Sequence, residues 1–200
     1  MTRYLPPSLL LLSTAFAAPV WAQTDTEAVL PTVEVSAPRL ARELYATPAA
    51  VSTIEQDAIA QGQQRVRLDE SLNRVPGVFL QNRDNFAQGQ RISIRGFGAR
   101  APFGVRGITV MVDGIPYTLP DGQAQLDAID LDSAERIEVI RGPSSVLYGN
   151  AAGGVIDITT ADGRDNPGTR LRMGAGSDGY QKMALQNGGV QGDWSHHISL

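Results

Sequence analysis

Cysteine is absent from this chain, which excludes a disulfide framework, a thiol nucleophile and a cysteine-held zinc site. Histidine occurs twice, at the adjacent positions His196 and His197. Neighbouring side chains on a strand point to opposite faces, so these two cannot chelate one ion, and no metal site is expected. Ser144 and Ser145 lack the G-x-S-x-G setting of a hydrolase nucleophile. The carboxylates have no histidine or metal-ligand spacing to work with, so no catalytic residue is assigned and no enzyme activity is expected. An excess of basic charge is also missing. Lys and Arg number 17 against 21 Asp and Glu, for a net charge of −4, which argues against nucleic-acid binding. Finally, no apolar run is long enough to cross a membrane as a helix, which takes roughly 20 residues.

The longest apolar stretch is "SLLLLSTAFAA" (8–18), preceded by Arg3 and followed by the small-residue site "VWA" (20–22). That is the three-part form of a secretory signal, so residues 1–22 are expected to be removed on export. Residues 23–46 are polar and aperiodic and read as a flexible arm. Within it lies one strand-like island, "LPTVEVSAP" (30–38), bounded by Pro31 and Pro38. A lone short strand is not stable in water, and the flanking "QTDTEA" and "RLAREL" offer it no partner. An orphan strand of this kind suits addition to another protein's sheet edge, through Pro31, Thr32, Val33, Glu34 and Val35. The prolines also discourage pairing with its own neighbours.

The block 47–165 carries folded signals, and 21 Gly and 12 Pro imply frequent turns. "AVSTI" (50–54) alternates as a strand, and "EQDAIAQ" (55–61) follows as a short helix. The pattern predicts a longer helix over 68–78, with Leu68, Leu72 and Val75 on one face, Arg74 at its negative end and Pro76-Gly77 as its stop. "VFLQ" (78–81) and "RISIRG" (91–96) read as strands. "ITVMVDGIPYTL" (108–119) is a hairpin signal, since Asp113-Gly114 suits a type I′ turn. "ERIEVIRG" (135–142) places Ile137, Val139 and Arg141 on one face. "GPSSVLYGNAAGG" (142–154) is a short helix or loop, and "VIDITT" (155–160) is a strand. Strands mixed with short helices predict a small α+β domain with a mixed sheet.

Beyond Asn166-Pro167-Gly168 the pattern changes. "TRLRMGAG" (169–176) sets Arg170, Arg172 and Gly174 against Leu171, Met173 and Ala175. "YQKMALQ" (180–186) sets Met183 and Leu185 against Lys182 and Gln186. "WSHHISL" (194–200) sets Trp194, His196, Ile198 and Leu200 against Ser195, His197 and Ser199. Short strands with apolar-out, polar-in alternation are the signature of an outer-membrane barrel, or of a soluble sheet edge. The smallest such barrel needs about eight strands, and about three fit here.

Two loops carry candidate ligand contacts. Residues 85–112 contain Arg91, Arg95, Arg100 and Arg106 and no acid, whereas 120–138 is acidic with Arg136 alone. An arginine fork binds carboxylates bidentately, so Arg100 and Arg106, in the Gly-rich loop "GFGARAPFGVRG", suit an anionic ligand. Gln123 of "PDGQ" (120–123) is the third candidate. The bland alternative is that these arginines pair with the acids of 120–138. "GFGARA" mimics a dinucleotide motif, but Pro102, Gly104 and Gly107 interrupt the helix such a site requires. Gly142, Gly149, Gly153 and Gly154 can take positive φ or let backbones approach closely.

The elements "LNRVPGV", "RISIRGFGAR", "VMVDGIPY" and "ERIEVIRGPSSVLYGNAAGGVIDITT" occur in the order in which they stand in TonB-dependent outer-membrane receptors, and residues 50–160 resemble the plug domain of that family. Residues 30–37 resemble its TonB box, and 169–200 resemble its first barrel strands. In such a plug the resemblance implies that Gly142, Gly149, Gly153 and Gly154 make tight corners packing against a surrounding barrel wall, and it adds carboxylates of that wall as a second bland partner for the arginines. The resemblance implies four segments: signal peptide 1–22, periplasmic arm with TonB box 23–46, plug 47–165, and first strands of a truncated barrel 169–200. It implies a location in the outer membrane of a Gram-negative bacterium, with the plug on the periplasmic side inside the barrel. The implied partners are TonB, by strand addition, outer-membrane lipid around the barrel, and a small anionic ligand, with no cofactor. Within the family, 96–125 is most similar to the iron-dicitrate and siderophore-like subgroup, which implies a ferric siderophore or ferric citrate-type chelate. One branch is similar to receptors for pyrroloquinoline quinone, which leaves a non-iron ligand as the alternative, or a plug acting alone as a periplasmic binding module.

Overall fold

A computed structural model describes residues 49–81, 89–102 and 104–200, and the backbone of two short strands before them, β1 (Glu34–Val35) and β2 (Arg42–Glu43). The expected signal sequence, and Pro31, Thr32 and Val33 of the arm, lie outside the described residues. The expectation that the arm strand has no partner in its own chain is corrected. β1 and β2 pair antiparallel, with Glu34 opposite Glu43 and Val35 opposite Arg42. Pairing uses main-chain N–H and C=O groups that every non-proline residue carries, so "RLAREL" needs no strand propensity to supply a partner.

The folded body begins with β3 (Ala50–Glu55), α1 (Gln56–Ala60), α2 (Asp69–Leu72), β4 (Val78–Gln81) and β5 (Arg91–Ile94). It continues with β6 (Ile108–Val112), β7 (Ile115–Pro116), β8 (Ala134–Arg141), α3 (Ser145–Tyr148) and β9 (Gly154–Thr160). Five strands form one mixed sheet in the order β3-β8-β9-β6-β7, with β6 and β9 parallel and the other pairs antiparallel. β4 and β5 form a separate antiparallel pair. The α+β class and the mixed sheet agree with the sequence reading.

The Asp113-Gly114 turn forms as expected, with φ values of 50° and 74°, as a type I′ turn requires. Two elements are shorter than predicted. The helix over 68–78 closes after Leu72. The residue before a proline disfavours the α region, and the chain turns on with bonds from Val75 N–H to Leu72 C=O and from Val78 N–H to Val75 C=O. These turns keep Leu68, Leu72 and Val75 buried on one side, so the predicted face is right although the helix is not. The strand predicted over 91–96 ends at Ile94, because Arg95 and Gly96 both take positive φ and form a second tight turn. Ile94 and Phe97 exchange both main-chain hydrogen bonds across it.

One face of the five-stranded sheet carries Ile54, Ile137, Val139, Ile156, Ile158, Ile108 and Val110. It packs on Ile59, Leu68, Leu72, Val78, Ile92 and Ile94. The other face holds a smaller apolar cluster of Met111, Ile140, Ala151 and Val155. β8 is therefore buried on both faces, and Ile140 and Glu138 join Ile137 and Val139 in the interior.

After residue 160 the chain forms a three-stranded antiparallel meander of β10 (Gly168–Ala175), β11 (Gln181–Gln191) and β12 (Trp194–Ser199). Leu171 lies opposite Leu185, and Met173 opposite Met183.

Candidate functional site

The loop between β5 and β6 folds back on itself. Gly98 has φ 83°, and a Cβ there would lie 2.4 Å from the Ile92 carbonyl oxygen, so this corner admits only glycine. Among the described residues no helix follows it, so there is nothing for a dinucleotide motif to open. Arg100 and Arg106 project from this loop and are exposed, as is Arg95 at the preceding turn. Arg91 is half-buried and donates to the Ala101 carbonyl, 3.0 Å away.

The second candidate loop is closed by its own chemistry. Pro120 stands second in a four-residue turn in which Gly122 N–H donates to Leu119 C=O at 2.8 Å, a position that suits proline. The Asp121 carboxylate accepts from Gln123 N–H at 3.0 Å. An open cleft of about 460 Å³ lies between the two loops, lined by Gly89, Gly104, Tyr117, Leu119, Gln123, Ala124 and Gln125. The structure thus brings Gln123 to the cleft, with Gly104 of the arginine loop beside it. Arg100 and Arg106 are not among the cleft residues. Tyr117 and Leu119, which the sequence reading did not single out, are. Their only sequence signal is a Tyr and a Leu directly after a hairpin, where one side is left without a strand partner.

The bland alternative for the arginines, pairing with the acids of 120–138, does not occur among the described residues. Asp132 instead pairs with Arg65, Arg172 and Lys182, and Glu138 with Arg136 at 3.4 Å. The reading of the glycines as packing on a surrounding wall is corrected for Gly153 and Gly154. A Cβ on Gly153 would lie 2.6 Å from Phe97 Cβ, and one on Gly154 would lie 2.2 Å from the Ile140 carbonyl oxygen. Both close approaches are internal to the five-stranded body. The glycine that meets the meander is Gly163, where a Cβ would sit 2.0 Å from the His196 carbonyl oxygen.

The five-stranded sheet also encloses two acids. Glu138 and Asp157 are cross-strand partners, 1% and 7% exposed. Burial, with Glu138 and Asp113 nearby, pushes the Asp157 carboxyl up to about 6, and Arg136 offsets this only in part. Thr53 stands across from Glu138 on β3, and among the described residues no cluster of three or more His, Cys, Asp and Glu could hold a metal.

The meander reverses ordinary burial. Leu171, Met173, Met183, Leu185, Val190, Trp194 and Ile198 are exposed, Met173 to 70% and Trp194 to 82%. Arg172, Lys182, Ala184 and Gln186 are turned inward, half-buried or buried. This apolar-outward sheet follows directly on a mixed-sheet body, and residues 43–155 match the family model "TonB-dependent Receptor Plug Domain". The chain belongs to that family.

Among curated relatives, the chain is similar to the vitamin B12 transporter BtuB of Vibrio vulnificus (strain CMCP6). They are 31% identical over 166 residues, which cover 80% of this chain and 26% of the relative. Among solved structures, it is similar to the ferric-catecholate import receptor Fiu of E. coli K12 in its open form, with a TM-score of 0.59 and 25% identity, over 82% of this chain and 23% of that one. The siderophore receptor PiuA from Acinetobacter baumannii shares the fold, with a TM-score of 0.60 and 24% identity, over 76% of this chain and 20% of that one. The chain therefore spans about a quarter of the length of these relatives.

Proposed function

We propose that this chain is the plug-bearing part of an outer-membrane receptor that takes up a scarce anionic ligand at the expense of TonB-coupled energy, a ferric siderophore or ferric citrate-type chelate. In this reading residues 1–22 direct export, 23–46 carry the TonB box, 47–165 form the plug and 169–200 open the barrel. The observation that carries it is the meander. Its apolar side chains face outward and its cations face the plug, which is the inside-out order of a strand wall between lipid and a filled lumen. The exposed Arg100 and Arg106, with no acid paired to them among the described residues, support an anionic ligand, and Gln123 adds a polar contact at the neighbouring cleft. The likeness to a vitamin B12 transporter supports a second reading, in which the ligand contains no iron.

TonB would bind the arm at Pro31, Thr32, Val33, Glu34 and Val35 by adding a strand through main-chain hydrogen bonds. A Val33→Pro change removes one such donor. The test is uptake of ferric chelates, vitamin B12 and pyrroloquinoline quinone by cells that carry the receptor as their only importer. One ligand is expected to accumulate in a TonB-dependent manner, and Val33→Pro is expected to abolish accumulation while leaving surface binding intact. Unchanged uptake in Val33→Pro sinks the assignment of the arm. Accumulation of vitamin B12 or the quinone alone selects the second reading.

A further inference from the structure

The seam between the five-stranded body and the meander is built around one carboxylate. Asp132 is buried. Its Oδ1 lies 2.8 Å from Arg172 Nη1 of β10 and 3.5 Å from Arg65 Nη1, and its Oδ2 meets Lys182 Nζ of β11. Its main chain is engaged as well. The Asp132 N–H donates to Asp130 Oδ1 at 2.9 Å, and its carbonyl accepts from Gln186 Nε2 of β11.

The loop before α2 completes the arrangement. Glu70 reaches back and accepts the N–H groups of Gln64, Arg65, Val66 and Arg67, at 2.7 to 3.0 Å. With its donors held from behind, this loop turns carbonyls toward the meander. Arg172 Nη2 donates to the Gln64 carbonyl at 2.8 Å, and Lys182 Nζ donates to the Arg65 carbonyl at 2.8 Å. Carbonyls and a carboxylate converging on two cations form a receptacle, and charged hydrogen bonds of this kind are the strong ones. Burial holds the Arg65 guanidinium below its usual range, aided by the nearby Arg172 and Arg170 and opposed by Asp132.

We infer that Asp132 and the Gln64–Arg65 carbonyls form a clamp that seats Arg172 and Lys182 and fastens the plug to its first hairpin. The connecting segment 161–167 joins the two parts covalently, and the clamp fixes their orientation. Three cations rest on a single acid, so removing that acid turns a mutual anchor into a converging set of like charges. This inference concerns the plug–hairpin seam alone and does not depend on which ligand is carried.

The absence of cysteine allows a direct test on the full chain in detergent micelles. Spin labels are attached at Asp127→Cys on the plug and Gln181→Cys on the hairpin, both exposed positions. The parent is expected to give one narrow distance distribution. Asp132→Asn and Lys182→Gln are each expected to broaden it and to speed hydrogen exchange of the 64–67 amides by roughly tenfold or more. The double variant is expected to go little further than either single change, because both break the same contact. A narrow distribution in Asp132→Asn, or effects that simply add in the double variant, overturns the clamp. Amides of Val110 and Ile156 report whether the sheet stays folded. Should Asp132→Asn unfold it, Arg172→Gln/Lys182→Gln decides, since it leaves the plug's own residues intact: broadening supports the clamp, and a narrow distribution overturns it.

Discussion

The five-stranded sheet and the three-stranded meander lie in one chain, and both alternate along their strands, yet they spend their apolar residues in opposite ways. In β8 both faces are interior, so Ile137 and Ile140 are both buried, and Glu138 is enclosed with them. In β10 and β11 the apolar side chains Leu171, Met173, Met183 and Leu185 are exposed, and the half of the pattern that holds the cations is inside. A period of two states which residues share a face. It does not state which face meets the protein. The comparison shows that the plug is stabilised by its own core and that the meander has its apolar face available for a different environment.

Four substitutions test that contrast, from the largest effect to the smallest. Ile137→Ala removes a fully buried side chain at the centre of the sheet and is expected to destabilise the plug by about 2–5 kcal/mol, read from denaturant unfolding of the full chain. Gly153→Val forces a side chain into the space held by Phe97. It is expected to cost about 1–3 kcal/mol, seen as faster hydrogen exchange in β6 and β9 with the meander unaffected. Slowed exchange or no change would mean that the 2.6 Å approach relaxes freely.

The third change has the opposite sign. Asp157 carries a carboxyl raised from 3.8 to about 6 in the folded protein. An acid whose pKa is raised on folding adds stability below its unfolded value and loses that contribution as pH rises through its folded value. Asp157→Asn is therefore expected to stabilise the plug by about 1–2 kcal/mol above pH 6, with the gain fading between about pH 6 and pH 4. A pH-independent gain would locate the effect in packing instead of charge. Met173→Ala, on the exposed face, is expected to change plug stability by no more than about 0.5 kcal/mol. The same change should weaken association of the chain with lipid vesicles, a readout on which Ile137→Ala should act only through unfolding.

Legibility in the sequence followed the range of the interaction. The Asp113-Gly114 turn was readable because two adjacent residues accept the backbone angles of a type I′ turn. Leu68, Leu72 and Val75 were readable as one buried side even though the helix that was to carry them stops at Leu72. Arg95-Gly96 is the counterexample: a non-glycine residue at positive φ leaves little mark in the sequence, so the pattern predicts two strand residues beyond Ile94 that the turn takes instead. The candidate site was half legible. Gln123 reaches the cleft, Arg100 and Arg106 are exposed on the loop beside it, and Tyr117 was missed because its place depends on how two loops pack. The pairing of Glu34–Val35 with Arg42–Glu43 was missed because main-chain pairing leaves no trace in side-chain pattern.

By itself the sequence determined the order of elements, the alternation of each strand and the tight turns, since all three depend on residues within a few positions of one another. The tertiary structure decided what those elements face. Arg65, Asp132, Arg172 and Lys182 are far apart in sequence, and only the folded seam brings them onto one carboxylate. Glu138 and Asp157 are ordinary strand acids until two neighbouring strands close over them. Charges and backbone carbonyls acquire partners through space, and burial that raises a carboxyl or exposes a methionine is set by what lies across the sheet.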